Sequence, residues 1–297
     1  MGDDTTAAYT RTYTHGDDDA AVVLRDVEFR RYGRTILTDV NLTIPRGEKW
    51  VLFGPNGIGK STLVQMMATR GFPSSGDVHI LGRRLGKVDV FSYRHLIGLS
   101  SAELLRAVPG DEDPLDAVVT ALKAVTGRWR DTYTPDEYAH ARALMREFGI
   151  EYLIGKSIGN LSEGERTRVM ICRSLMARSE LLILDEPTTG LDLGGRETTL
   201  RALSRIGADD AARTVIVVTH RLEEIPEGFD HVAILGRVRG SETDALADHV
   251  AGRDPMPGTV VYAGDLDHGF TGERLSSLFG LDLHVHHDGG RWSAYAR

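Results

Sequence analysis

The chain has 297 residues, a hydrophobic fraction of 41%, a charged fraction of 26% and a formal charge of -8 at pH 7. That is room for one large domain or two modest ones with an ordinary globular composition, which excludes fibrous and disorder-dominated classes. The negative balance argues against nucleic acid as a partner, because phosphate backbones are gripped by clustered Lys and Arg. The single Cys172 excludes an internal disulfide and fits a reducing compartment, where it reads as a small buried group on a helix.

Residues 1–19 are polar, rich in Thr and Asp, and read as a flexible N-terminal tail without a signal peptide's apolar run. No stretch of about 18 apolar residues occurs, so no direct membrane insertion is expected. Ala20 to about Tyr32, then Ile36 to Ile44, read as short strands with turns near Gly33 and Gly47. Tyr32, at such a strand's end, is placed to stack on a nucleotide base, an interaction worth about 1–3 kcal/mol at single-stranded nucleic-acid sites. A half-buried strand tyrosine is the plainer alternative.

Lys49–Phe53 predicts a short buried strand and Leu63–Met67 a helix. Between them Gly54-Pro55-Asn56-Gly57-Ile58-Gly59-Lys60-Ser61-Thr62 matches the phosphate-loop pattern. Glycines let backbone N–H groups wrap phosphate oxygens, Lys60 brings positive charge to the outer phosphates, and Ser61 offers a hydroxyl to Mg²⁺. The helix start adds its own partial positive charge. A bound nucleoside triphosphate follows.

Asp77–Gly82 predicts another strand and turn, and residues from about 101 to 160 turn helical. Helix starts are marked by Asp113-Pro114 and by Thr134-Pro135-Asp136-Glu137, the latter with its stop near Gly149. A subdomain set against the main sheet is expected there. Leu161-Ser162-Glu163-Gly164-Glu165 then opens a helix to about Arg178, with Ser162 and Glu165 as a capping box. Helix capping alone would account for it, yet the same N–H groups make an anion site that Gly164 lets a ligand approach.

Leu181–Leu184 and Thr214–Thr219 read as strands buried on both faces, ending in Asp185-Glu186 and His220. Ligands of open parallel sheets gather at such carboxyl ends. After Leu235 the chain loosens, with Gly236–Pro257 as an insertion, before a strand at Thr259–Gly264 and a closing strand pair around Asp288-Gly289-Gly290. His284 and His286 share one strand face, which reads as a wet face rather than a metal site.

Taken together, Tyr32, the Walker A loop Gly54–Thr62, the signature Leu161–Glu165, the Walker B strand through Asp185, Glu186, the D-loop Gly190-Leu191-Asp192 and the switch His220 resemble an ATP-binding cassette (ABC) ATPase over about Ala20 to Leu235. The resemblance implies an α/β fold: a P-loop NTPase core sheet with an antiparallel β subdomain and an inserted α-helical subdomain at about 101–160. Domains would run 20–235 for the ATPase and 236–297 for a C-terminal extension. It implies a head-to-tail dimer, of two copies or with a paralogous cassette, in which ATP bound by one Walker A loop also meets Ser162, Gly164 and Asp192 of the other. Glu186 would be the base or water-orienting carboxylate, Lys60 and His220 would serve the γ-phosphate, and Ser61 and Asp185 would hold Mg²⁺.

Two departures stand out. The glutamine usual after the fourth strand is missing from Ile97–Glu103, and Gln65 is the only glutamine in the chain. Either Ser101 or Glu103 substitutes, or the coupling to a partner is altered. The signature also carries Glu163 and Glu165 where glycine and glutamine are commoner. The leading expectation is a cytoplasmic ATPase, peripheral on the inner membrane face, driving a separate membrane permease, and similar to small importers for metal chelates or molybdate. The alternative is a soluble ABC protein acting in translation, repair or regulation.

Overall fold

Residues 19–177, 179–209, 212–237 and 256–297 are described by the computed structural model. The expected tail, apart from Asp19, and most of the expected insertion lie outside these residues, as does Arg178. The chain opens with β1 (Ala20–Arg31) and β2 (Arg34–Pro45), paired antiparallel. They are longer than the short strands expected, because bulges between Leu24 and Phe29 bend β1 without ending it. Tyr32 lies beyond the strand end, in the turn, at φ 51°.

Next come β3 (Lys49–Phe53), α1 (Lys60–Met67), β4 (Ser75–Ile80), the two-residue β5 (Arg83–Arg84) and β6 (Ile97–Ser100). The helical block contributes α2 (Ala102–Arg106), α3 (Pro114–Val119) and α4 (Pro135–Glu147). Each starts where a short polar side chain satisfies an otherwise orphaned N–H: Ser101, Asp113 and Thr134 accept from the backbone, and Thr134 and Glu137 close a capping box. Helix α4 stops at Gly149, whose φ of 66° glycine tolerates without strain.

Helix α5 (Glu163–Met176) leads to β7 (Leu181–Asp185), α6 (Leu193–Asp209), β8 (Thr214–Thr219) and β9 (His231–Arg237). The C-terminal part holds β10 (Gly258–Asp265), α7 (Leu266–Gly269), α8 (Gly272–Phe279) and the hairpin β11 (Leu283–Asp288) with β12 (Arg291–Ala296).

Among the described residues ten strands form one sheet in the order β5-β4-β1-β2-β10-β9-β3-β8-β7-β6. The stretch β9-β3-β8-β7-β6 is parallel, and β3 and β8 are buried on both faces, which accounts for their continuous apolar sequence. The β1-β2-β4-β5 end is antiparallel. Strand β10, from the segment expected as an extension, sits inside this sheet: antiparallel to β9 and touching β2 at Gly258 beside Leu37. Phe270 and Phe279 pack edge-on to Phe53, and Arg291 Nη2 donates to Glu197 Oε1 at 2.7 Å, tying the C-terminal hairpin to α6. In that hairpin His284 and His286 stack on Tyr295, with His286 Nε2 3.1 Å from the Tyr295 hydroxyl.

Candidate active site

Strand register gathers the site. Phe53 pairs with Thr219, and Asp185 with Val218, so the phosphate loop, Glu186 and His220 all leave neighbouring parallel strands at one edge. Ser100 pairs with Leu184, which brings the start of α2 to the same edge. This is the carboxyl-end crevice where open α/β sheets bind ligands.

Within the phosphate loop, Gly59 caps α1 at φ 108°, and a Cβ there would stand 2.6 Å from the Leu37 side chain. Both backbone conformation and packing therefore require glycine. Gly57, at φ 75° with open space around it, requires glycine for conformation alone. Ile58 anchors the loop in the core, and a Cβ on Gly258 would meet the Ile58 carbonyl, so the first residue of β10 braces the loop from behind. Pro55 and Asn56 complete the turn, and Ser61 and Thr62 are the next residues of α1.

Lys60 is buried, and its Nζ donates to the carbonyls of Gly54 at 2.7 Å and Pro55 at 3.0 Å. Burial pushes its pKa down, while the charges of Glu186 and Asp185 oppose that shift. Asp185 is pushed the other way, up to about 6, by burial first and then by the charge of Glu186. A hydrogen bond from Ser61 and the charge of Lys60 work against the rise, and Glu103 adds to it. One Asp185 oxygen, Oδ1, is buried with no hydrogen-bond partner among the described residues. An orphaned carboxylate oxygen beside a serine hydroxyl is a donor set that suits a hard cation such as Mg²⁺.

Glu186 occupies the left-handed region at φ 50°, a strained conformation of the kind that clusters at functional sites. Its N–H donates to the Val218 carbonyl, Thr189 Oγ1 donates to its Oε2 at 3.3 Å, and its Oε1 lies 3.0 Å from His220 Nδ1. His220 is held from below: Thr219 Oγ1 donates to the buried Glu224 at 2.7 Å and accepts from the Arg221 N–H at 3.1 Å. No motif assigns a site role to Thr189, Thr219 or Glu224. Each acts through a partner within five residues of it, across the turn that follows β7 or β8.

The remaining expected residues form a second group. Ser162 and Glu165 make the capping box, with Ser162 N–H donating to Glu165 Oε2 at 2.8 Å and Glu165 N–H donating to Ser162 Oγ at 3.3 Å. Glu165 also accepts from the Tyr152 hydroxyl at 3.0 Å, so the carboxylate in place of glutamine secures the helix start on two sides. Gly164 lies against the D-loop: a Cβ would stand 2.7 Å from the Gly190 carbonyl. Asp192 Oδ1 accepts from Gly195 N–H at 2.7 Å and caps α6. Tyr32 stands apart in its turn, 94% exposed, with the Arg31 guanidinium 5.2 Å from its ring centre.

The fold and the first group define a phosphate-loop nucleotide-binding protein. The family model described as "ABC transporter" matches residues 37–189. YlmA of Bacillus subtilis (strain 168), an ABC transporter ATP-binding protein, is 32% identical over 263 residues, covering 88% of this chain and 92% of that one. The hemin import ATP-binding protein HmuV of Rhodococcus jostii (strain RHA1) is 36% identical over 243 residues, covering 78% and 80%. A dimeric ATP-binding cassette, MJ0796, solved with ADP and Pi, superposes with a TM-score of 0.65 at 22% identity over 82% of this chain and 98% of that one, which shows the shared fold. The chain belongs to the ATP-binding subunits of ABC transporters. It binds ATP and hydrolyses it.

Proposed function

We propose that the chain works as a head-to-tail dimer, or beside a paralogous cassette, and powers a separate membrane permease from the cytoplasmic face. The pairing of His220 with Glu186, at the edge where Lys60 and Asp185 also emerge, carries this reading. The phosphate loop wraps the triphosphate with its N–H groups, and Lys60 turns from the Gly54 and Pro55 carbonyls to the outer phosphates. Glu186 accepts the proton of the attacking water or orients it, and His220 holds Glu186 in place while meeting the γ-phosphate. Ser61 and Asp185 hold Mg²⁺, which when bound neutralises phosphate charge. Tyr32 stacks on the base.

Gly164, packed against the D-loop, and Ser162 at the same helix start serve the ATP of the opposite cassette together with Asp192. Because that contact needs the γ-phosphate, ATP closes the pair and hydrolysis loosens it. The ATPase domain is 20–235, with its helical subdomain at about 101–160, and 236–297 forms a C-terminal extension whose first described strand braces the phosphate loop. The name of the 36% identical hemin import protein favours an importer.

The test is Glu186→Gln, which should form a dimer that persists in ATP by size exclusion. A variant that stays monomeric with ATP bound overturns the head-to-tail reading. Purification from membranes should bring down a hydrophobic permease in stoichiometric amount, and its reproducible absence would overturn the transport partner.

A further inference from the structure

We propose that Arg291, in the C-terminal hairpin, is a positioning residue for hydrolysis: it fixes the segment that follows Glu186 against the segment that follows His220. Its Nη2 donates to Glu197 Oε1 at 2.7 Å and to the Glu223 carbonyl at 3.4 Å. Glu197 belongs to α6, which the chain enters after Glu186, and Glu223 lies in the single helical turn Leu222–Glu224 just past His220. One guanidinium nitrogen thus spans the same two segments that His220 and Glu186 join at 3.0 Å. The contact with Glu197 is short and charge-assisted and does the holding, while the longer one sets direction.

Each segment is hydrogen-bonded turn by turn, so a restraint at one end is felt at the other. From Glu186, Thr189 N–H donates to the Glu186 carbonyl and Leu191 N–H to the Thr188 carbonyl, both at 3.2 Å, and Asp192 Oδ1 then caps α6 at Gly195 N–H. From His220, Thr219 Oγ1 donates to the buried Glu224 at 2.7 Å, and Glu224 N–H donates to the Arg221 carbonyl at 3.3 Å. Both runs end on residues that Arg291 touches or on their immediate neighbours.

The hairpin in turn holds Arg291. Trp292, the next residue, is buried and packs edge-on to Phe270 at 5.4 Å, and Phe270 packs edge-on to Phe53, the last residue before the phosphate loop. The Arg291 and Glu197 side chains are 32% and 30% exposed, so water competes for their bond less than at an open surface. Misplacing a catalytic group by about 1 Å can cost about 100-fold in rate, so a restraint of this kind is felt in turnover. Arg291 bonds to neither Glu186 nor His220 and acts through their neighbours. The role rests on the proposed assignment of Glu186 and His220 to hydrolysis.

The test is Arg291→Met, which keeps an apolar stem and removes the donors, assayed for ATP turnover on the full chain and normalised to the fraction that binds a fluorescent ATP analogue. Its kcat should fall about 10- to 100-fold while KM for ATP stays within about twofold, because the phosphate loop is untouched. Both contacts fall on one nitrogen, so the ammonium of Arg291→Lys should recover most of kcat; equal losses in the two variants overturn the role. In a His220→Ala background Arg291→Met should cost little more, and a loss repeated there in full overturns it as well. Should Arg291→Met fail to fold, Glu197→Ala cuts the same bond from α6 and leaves the hairpin whole; the same split between kcat and KM is expected, and an unchanged kcat overturns the role. Arg291→Met at the wild-type rate beside a slow His220→Ala overturns this role alone. His220→Ala at the wild-type rate overturns the hydrolytic pair, and this role with it.

Discussion

His220 Nδ1 lies 3.0 Å from Glu186 Oε1, joining the ends of two adjacent parallel strands directly. The two side chains therefore act as a unit, and their removal should not be additive. Glu186→Gln should lower kcat by about 10²–10³-fold and His220→Ala by a similar factor, while the double variant loses little more. The check is a double-mutant cycle on kcat with ATP affinity measured alongside; multiplicative losses would separate the two roles.

Lys60→Ala removes a buried ammonium that donates to Gly54 and Pro55. Charge-assisted hydrogen bonds of this type are worth about 1.5–3 kcal/mol, so ATP affinity should fall by about 10- to 150-fold. Equilibrium binding of a fluorescent ATP analogue reads the loss directly.

Asp185 titrates near 6 in the fold, above an ordinary aspartate near 3.8. A carboxyl with a raised native pKa binds its proton more tightly folded than unfolded, so its contribution is full below about pH 4 and is lost as pH rises through 6. Without Mg²⁺, Asp185→Asn should therefore raise the melting temperature more at pH 8 than at pH 5. Mg²⁺-dependent ATP binding should weaken in wild type as pH falls below 6. Melting curves and titrations across that window check both.

Gly164→Ala would push a methyl to within 2.7 Å of the Gly190 carbonyl and 2.9 Å of Leu191. The D-loop must shift, which should abolish ATP-driven dimerisation while leaving nucleotide binding by the single chain close to wild type. Size exclusion with ATP, paired with a binding isotherm, distinguishes this from misfolding.

Glu165→Ala removes the acceptor of the Ser162 N–H and of the Tyr152 hydroxyl. Loss of a helix cap costs about 1 kcal/mol, or about 2–4 °C in melting temperature for a chain of this class. Glu165→Gln keeps an acceptor and should recover most of it. The backbone hydrogen bond from Ser162 holds the Glu165 carboxyl below its usual range, so the advantage of wild type over Glu165→Gln should fade as pH drops below the ordinary carboxylate range.

The sequence by itself determined everything recorded within a few residues. The phosphate loop, the buried strands Lys49–Phe53 and Leu181–Asp185, and the capping boxes at Thr134 and Ser162 are each written in local spacing, because caps, turns and burial periodicity act over one or two turns of chain. Only the tertiary structure decided what meets what. That β10 slips between β2 and β9 to back Ile58, that Gly164 rests on Gly190, and that His220 meets Glu186 are pairings between segments distant in sequence. Strand register and side-chain packing set those pairings through the summed burial of the whole core, and no short window of sequence contains that sum.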